Sequence, residues 1–90
     1  MDEDAQLAAL ADLAESLGME VRRAPPAEGA ERPGGALVRL KGRSIVFLDE
    51  SAPPADRIRV LAAALAGHPR IPDRFLPPQI RELIEQARCE

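Results

Sequence analysis

The sequence predicts an α+β domain: a small three-stranded antiparallel sheet, laid out as a meander, packed with about three helices in the order α-β-β-β-α-α. Three observations carry that expectation. Apolar residues recur at helical spacing in three separate segments, two β-rich runs are joined by a short glycine-containing link, and glycine or proline stands at the ends of the periodic segments.

The first helix is expected over Asp2 to Leu17. Leu7, Leu10, Leu13 or Ala14, and Leu17 fall on one face, Asp2, Glu3 and Asp4 sit at the positive end of the helix dipole, and Gly18 stops the helix. Met19 to Arg23 alternates apolar and charged residues, so it reads as a short half-buried strand coupled to the helix by Gly18. Residues 24–35 are dominated by Pro, Gly, Glu and Ala with no periodicity, which predicts a mobile loop serving as a connector.

Leu37, Val38 and Leu40 then lead through Lys41-Gly42-Arg43-Ser44 to Ile45, Val46, Phe47 and Leu48, the pattern of a β-hairpin. On its first strand Val38 and Leu40 alternate with Arg39 and Lys41, which sends Val38 and Leu40 to the core. The second strand is apolar on both faces, so it either sits centrally or has its outer side covered. A helix starts near Pro54, with Ile58, Leu61, Ala62 and Leu65 as its apolar stripe and Asp56, Arg57 and Arg59 toward water; Gly67 is expected as its left-handed cap, followed by Pro69. The segment from His68 to Pro78 carries four prolines and is expected to run extended, with Ile71, Phe75 and Leu76 tucked into the core. Pro77-Pro78 opens a last helix whose stripe is Ile80, Leu83, Ile84 and Ala87.

Ninety residues form one domain, 1–90, with no room for a second core. The hydrophobic share of 46% is inflated by alanine and the aromatics are Phe47 and Phe75 alone, so Leu, Ile and Val must build the interior. A net charge of −3 and scattered basic residues argue against nucleic acid; the Arg39, Lys41, Arg43 cluster reads as a solvated edge that discourages strand addition, and without Tyr or Trp there is no base-stacking platform. No apolar run approaches membrane-spanning length, and the start of the chain lacks the order of a signal peptide. The lone Cys89 can form no internal disulfide, which leaves the cytoplasm as the expected location. Eleven arginines against one lysine, with abundant Ala, Gly and Pro, is the composition that GC-rich bacterial genomes encode.

One stretch carries a resemblance. A strand ending in IVFLDE, a Ser/Pro linker and a helix ending in ALAGH is similar to the core of the ImmA/IrrE-type zinc peptidases, whose corresponding helix carries HELGH. Laid on Ala64 to His68, the motif keeps Gly67 and His68, but Ala64 stands where the resemblance implies the first zinc ligand and Leu65 where it implies the catalytic Glu. The layout of hairpin, helix, Leu-Pro-Pro and helix also resembles small bacterial proteins of about this length, a likeness that implies no activity.

With one His and one Cys in the chain, three zinc ligands and a base cannot be assembled from the usual residues, and Ser16, Ser44 and Ser51 lie in no nucleophile setting. No catalytic residue, metal site or cofactor is therefore expected; His68 is a ligand only under the peptidase alternative and is otherwise a charge or hydrogen-bond donor at a helix end. The expected function is that of a non-catalytic interaction or adaptor protein, which binds a protein partner or itself through Val46, Leu48, Ala63 and Ala66. The alternative is a degenerate or unusual hydrolase related to the ImmA-type zinc metallopeptidases.

Overall fold

In a computed structural model, which describes residues 2–24, 35–71 and 75–89, the chain forms α1 (Glu3–Ser16), β1 (Glu20–Ala24), β2 (Gly35–Leu40), β3 (Arg43–Asp49), α2 (Pro54–Ala66) and α3 (Pro78–Cys89). The expected mobile loop 24–35 lies outside the described residues except for its ends, which close β1 and open β2.

Local chemistry sets the boundaries of α1. The Ala5 N–H donates to the Asp2 carboxylate at 2.8 Å, which satisfies one of the unpaired donors of the first turn. At the other end Gly18 adopts φ +85°, and the Gly18 and Met19 N–H groups donate to the Glu15 and Ala14 carbonyls at 3.0 Å each. This paired closure needs a left-handed residue, and glycine takes that conformation without a Cβ clash. It also turns the chain straight into β1, so that Leu10, Ala14, Leu17 and Met19 enter one buried cluster.

The sheet is mixed, which corrects the expected antiparallel meander. Its strand order is β1-β3-β2, with β1 parallel and β2 antiparallel to β3. The chain crosses from one edge strand to the other and folds back to insert β3 between them. The insertion leaves β3 with no free edge; Val46 and Leu48 face the helices, while Ile45, 7% exposed, and Phe47 lie on the other face between the flanking strands. Lys41 and Gly42 have φ of +52° and +79°, the double positive of a two-residue type I′ turn, so Arg43 and Ser44 belong to β3 rather than to the link.

The tight turn fixes the hairpin register: Leu40 lies opposite Arg43, Val38 opposite Ile45, and Leu37 opposite Val46. Val46 and Leu48 join the core under the helices together with Val21 of β1, whereas Ile45 lies outside that cluster, on the opposite face. Leu37 thus shares the helix-covered face, and Val38 and Leu40 lie on the open one, the reverse of the expected orientation.

Helix α2 is the middle of the molecule. It packs on β2 and β3 and contacts both α1 and α3, which also touch each other. Ile58, Leu61, Ala62, Ala64 and Leu65 are all buried, a wider face than the predicted stripe, because α2 is covered from more than one direction. Gly67 ends it with right-handed φ and ψ of −85° and −3°, not as the expected left-handed cap; the His68 N–H donates to the Leu65 carbonyl at 3.0 Å, so a tightened turn closes the helix and Pro69 prevents its continuation. In the crossing that follows, Ile71 and Leu76 are buried but Phe75 is 86% exposed, against the expectation that it tucks inward. Adjacent residues of an extended segment point to opposite sides, so seating Leu76 turns Phe75 outward. α3 completes the core with Ile80 and Ile84.

Candidate functional site

The feature that sets one region apart is β2. Each of its residues from Ala36 to Leu40 is exposed, although the strand holds Leu37, Val38 and Leu40 at 45%, 39% and 58% exposure. Two causes combine. β2 is an edge strand, with β3 on one side and no described strand on the other. Its outer face belongs to the side of the sheet away from the helices, where Ala36 and Val38 lie beside Phe47 and Ile45. At the opposite edge β1 presents Glu20 and Arg22 on that same face, joined by an ion pair of 2.6 Å. The open face therefore grades from charged at β1 to apolar at β2.

Basic side chains frame the apolar strip. Arg39, Lys41 and Arg43 surround the turn, all exposed, and none forms an ion pair with another described residue. The paired arginines lie elsewhere: Arg22 with Glu20, Arg23 with Glu50 at 3.0 Å, and Arg59 with Asp56 at 3.3 Å.

The four residues expected to bind a partner are not brought together. Val46, 0% exposed, and Leu48, 8% exposed, lie in the core beneath the chain's own helices, so their side chains are unavailable at the surface. Ala63 is exposed and Ala66 half-buried on α2. Apolar content does not separate the two strands: β3 holds Ile45, Val46, Phe47 and Leu48 at the centre of the sheet, whereas β2 holds Leu37, Val38 and Leu40 at its edge and leaves them uncovered. The Lys-Gly pair read as a two-residue turn sets Leu37 opposite Val46 and Val38 opposite Ile45, but no local signal marks β2 as the edge strand.

At the end of α2, His68 is half-buried and its Nδ1 accepts the Arg70 N–H at 3.1 Å. The imidazole thus stabilises the turn after the helix instead of bonding the last helical carbonyls. The positions that the zinc-peptidase resemblance gives to the first ligand and the base, Ala64 and Leu65, belong to the buried core. No group of three His, Cys, Asp or Glu residues that could hold a metal ion occurs among the described residues. No described helix is long and apolar enough to cross a membrane.

A cleft of about 300 Å³ lies where α1, the ends of β1 and β3, and the start of α2 meet, lined by Leu7, Ala11, Val21, Leu48, Glu50 and Arg57 among others. Arg57 is half-buried there and its Nε is without a hydrogen-bond partner, although the helix pattern placed it toward water. No protein family, curated protein or solved structure matches this chain.

Proposed function

We propose that this chain is a small non-catalytic bacterial interaction or adaptor protein, acting in the cytoplasm on a protein partner through β2 and the open face of the sheet. The observation that carries the reading is the exposure of Leu37, Val38 and Leu40 on one edge strand while the other large aliphatic residues described are at least partly buried. Isolated exposed apolar residues are ordinary, but Val38 and Leu40 share the open face with Ile45 and Phe47 and form a patch of the kind that marks contact sites, with Leu37 exposed on the other face of the same strand. The lone cysteine is consistent with a reducing compartment.

The test is a photo-crosslinking residue placed in cells at Leu40, compared with one at Arg81, which is exposed on α3. A discrete adduct from position 40 that is absent from position 81 is expected. Identical patterns from the two positions, or none from either, overturn the reading.

A further inference from the structure

We infer that the occupant of the β2 edge is an extended, acidic segment of a partner protein, which adds to the sheet as a fourth strand. The inference rests on the interaction reading above and gives it a partner chemistry.

The backbone geometry comes first. Leu40 and Arg43 flank the two-residue turn and form the hydrogen-bonded pair next to it. Hydrogen-bonded and non-bonded pairs alternate along an antiparallel ladder, so Val38–Ile45 and Ala36–Phe47 are bonded as well. The N–H and C=O groups of Leu37 and Arg39 therefore point away from β3, toward the side where no described strand lies. They offer two donors and two acceptors at the spacing that an added strand uses, and extended peptides bind sheet edges by pairing with such groups.

Charge decides which strand fits. Three of the five residues from Arg39 to Arg43 are basic, none is paired with a described acid, and yet the chain as a whole carries −3. Joining β2 in parallel to the β2 of a second copy would set Arg39 against Arg39, and like charges facing across strands are destabilising; the antiparallel pairing centred on Val38 sets Arg39 against the apolar Leu37 and leaves the cluster unmatched. A neutral or basic strand leaves the cluster unmatched, whereas in a strand that alternates acidic and apolar residues the acidic face lies beside Arg39 and the apolar face covers Val38 and Leu40 on the open side of the sheet. The cations that self-pairing leaves unmatched thus favour an acidic partner. Phosphate groups match the charge, but they leave the leucines and the outward N–H groups unused.

A short acidic peptide alternating Glu and Val, its counterpart with Lys in place of Glu, and a single-stranded RNA oligonucleotide are titrated into the isotope-labelled protein and followed by NMR. The acidic peptide is expected to shift the Leu37 and Arg39 amide resonances and to bind at least about tenfold more tightly than the basic one, with affinity falling as salt rises to about 0.5 M. Leu37→Pro removes an outward N–H and spares the hairpin bonds, as prolines on edge strands do. It is expected to weaken the acidic peptide about tenfold while the thermal melt stays close to wild type. If Leu37→Pro unfolds the protein, Arg39→Glu with Lys41→Glu takes its place, with the expectation that the preference between the two peptides inverts. Equal binding of both peptides, an unmoved preference in the charge-reversed protein, or RNA binding more tightly than the acidic peptide overturns the strand-addition inference. If peptides shift only the Ile45 and Val38 methyl and Phe47 ring resonances and leave the Leu37 and Arg39 amides unmoved, strand addition is overturned and the sheet-face interaction survives. No peptide binding combined with a position-specific crosslink at Leu40 likewise sinks the acidic-strand inference alone.

Discussion

β2 and β3 are the two strands of one hairpin, similar in apolar content and joined by two residues, but they live in different solvents. β3 lies between two strands with Val46 and Leu48 under the helices, while β2 has one neighbour and leaves three large aliphatic side chains in water. The difference arises from strand order rather than from composition. Had the chain formed the simple meander, β2 would be central and β3 would be the edge, and the patch would move to Ile45 and Phe47. Pairing β1 with β3 in parallel is therefore the step that decides which apolar strand becomes surface.

The largest effect is expected on the buried side of that contrast. Ala64→His with Leu65→Glu, the pair that rebuilds a zinc-peptidase motif, places a carboxylate in a core position that is 0% exposed. The cost of an unpaired buried charge, several kcal/mol, approaches the whole stability of a domain this small, so loss of the cooperative thermal transition is expected. A normal melt together with stoichiometric zinc in the dialysed protein would show that this face of α2 opens to solvent.

Leu48→Ala comes next, at about 2–5 kcal/mol in chemical denaturation, because it empties a site packed between strand and helix. A loss below about 1 kcal/mol would remove β3 from the core and collapse the contrast with β2.

Gly35→Ala probes how the two strands meet. Gly35 has φ +140°, and a Cβ added there would stand 1.8 Å from the Phe47 carbonyl oxygen on β3. Backbone rather than a flexible side chain is the obstacle, so β2 must shift at its start. A loss of about 1–3 kcal/mol is expected, read from the denaturation midpoint, with amide shifts concentrated around Phe47 and Leu48. Unchanged stability would show that the beginning of β2 is already loosely held.

These sites also show what could be read from the chain before folding. Helical stripes were legible because Ile58, Leu61 and Leu65, or Ile80 and Ile84, repeat at the helix period, and the Gly18 stop was legible because few residues other than glycine accept its φ. These are local facts. The parallel partnership of β1 and β3 joins residues 25 apart, such as Val21 and Val46, and no short-range pattern reports it. Phase was the second obstacle. Val38 alternates with Arg39 and looks core-facing, but the two-residue turn sets Leu37 opposite Val46 instead; Phe75 looks like core until Leu76 takes the inward position. The candidate site meets the same obstacle of phase: Val46 and Leu48 have the apolar character of a contact surface, but they lie on the face that the chain's own helices cover.

The smallest effect is expected from Leu40→Ala, the counterpart of Leu48→Ala on the neighbouring strand. Leu40 is 58% exposed and sits beside the turn, so truncation removes little buried area and opens no enclosed cavity. Stability should stay within about 0.5 kcal/mol of wild type, as for surface positions generally. Alanine is a poorer strand former than leucine, which pulls slightly toward destabilisation, but the turn geometry held by Lys41 and Gly42 does not depend on the Leu40 side chain. The informative quantity is the difference between the two leucines. A Leu40 cost equal to that of Leu48 would mean that β2 is covered in solution, and a concentration-dependent midpoint for wild type, abolished by Leu40→Ala, would identify the cover as a second copy of this chain.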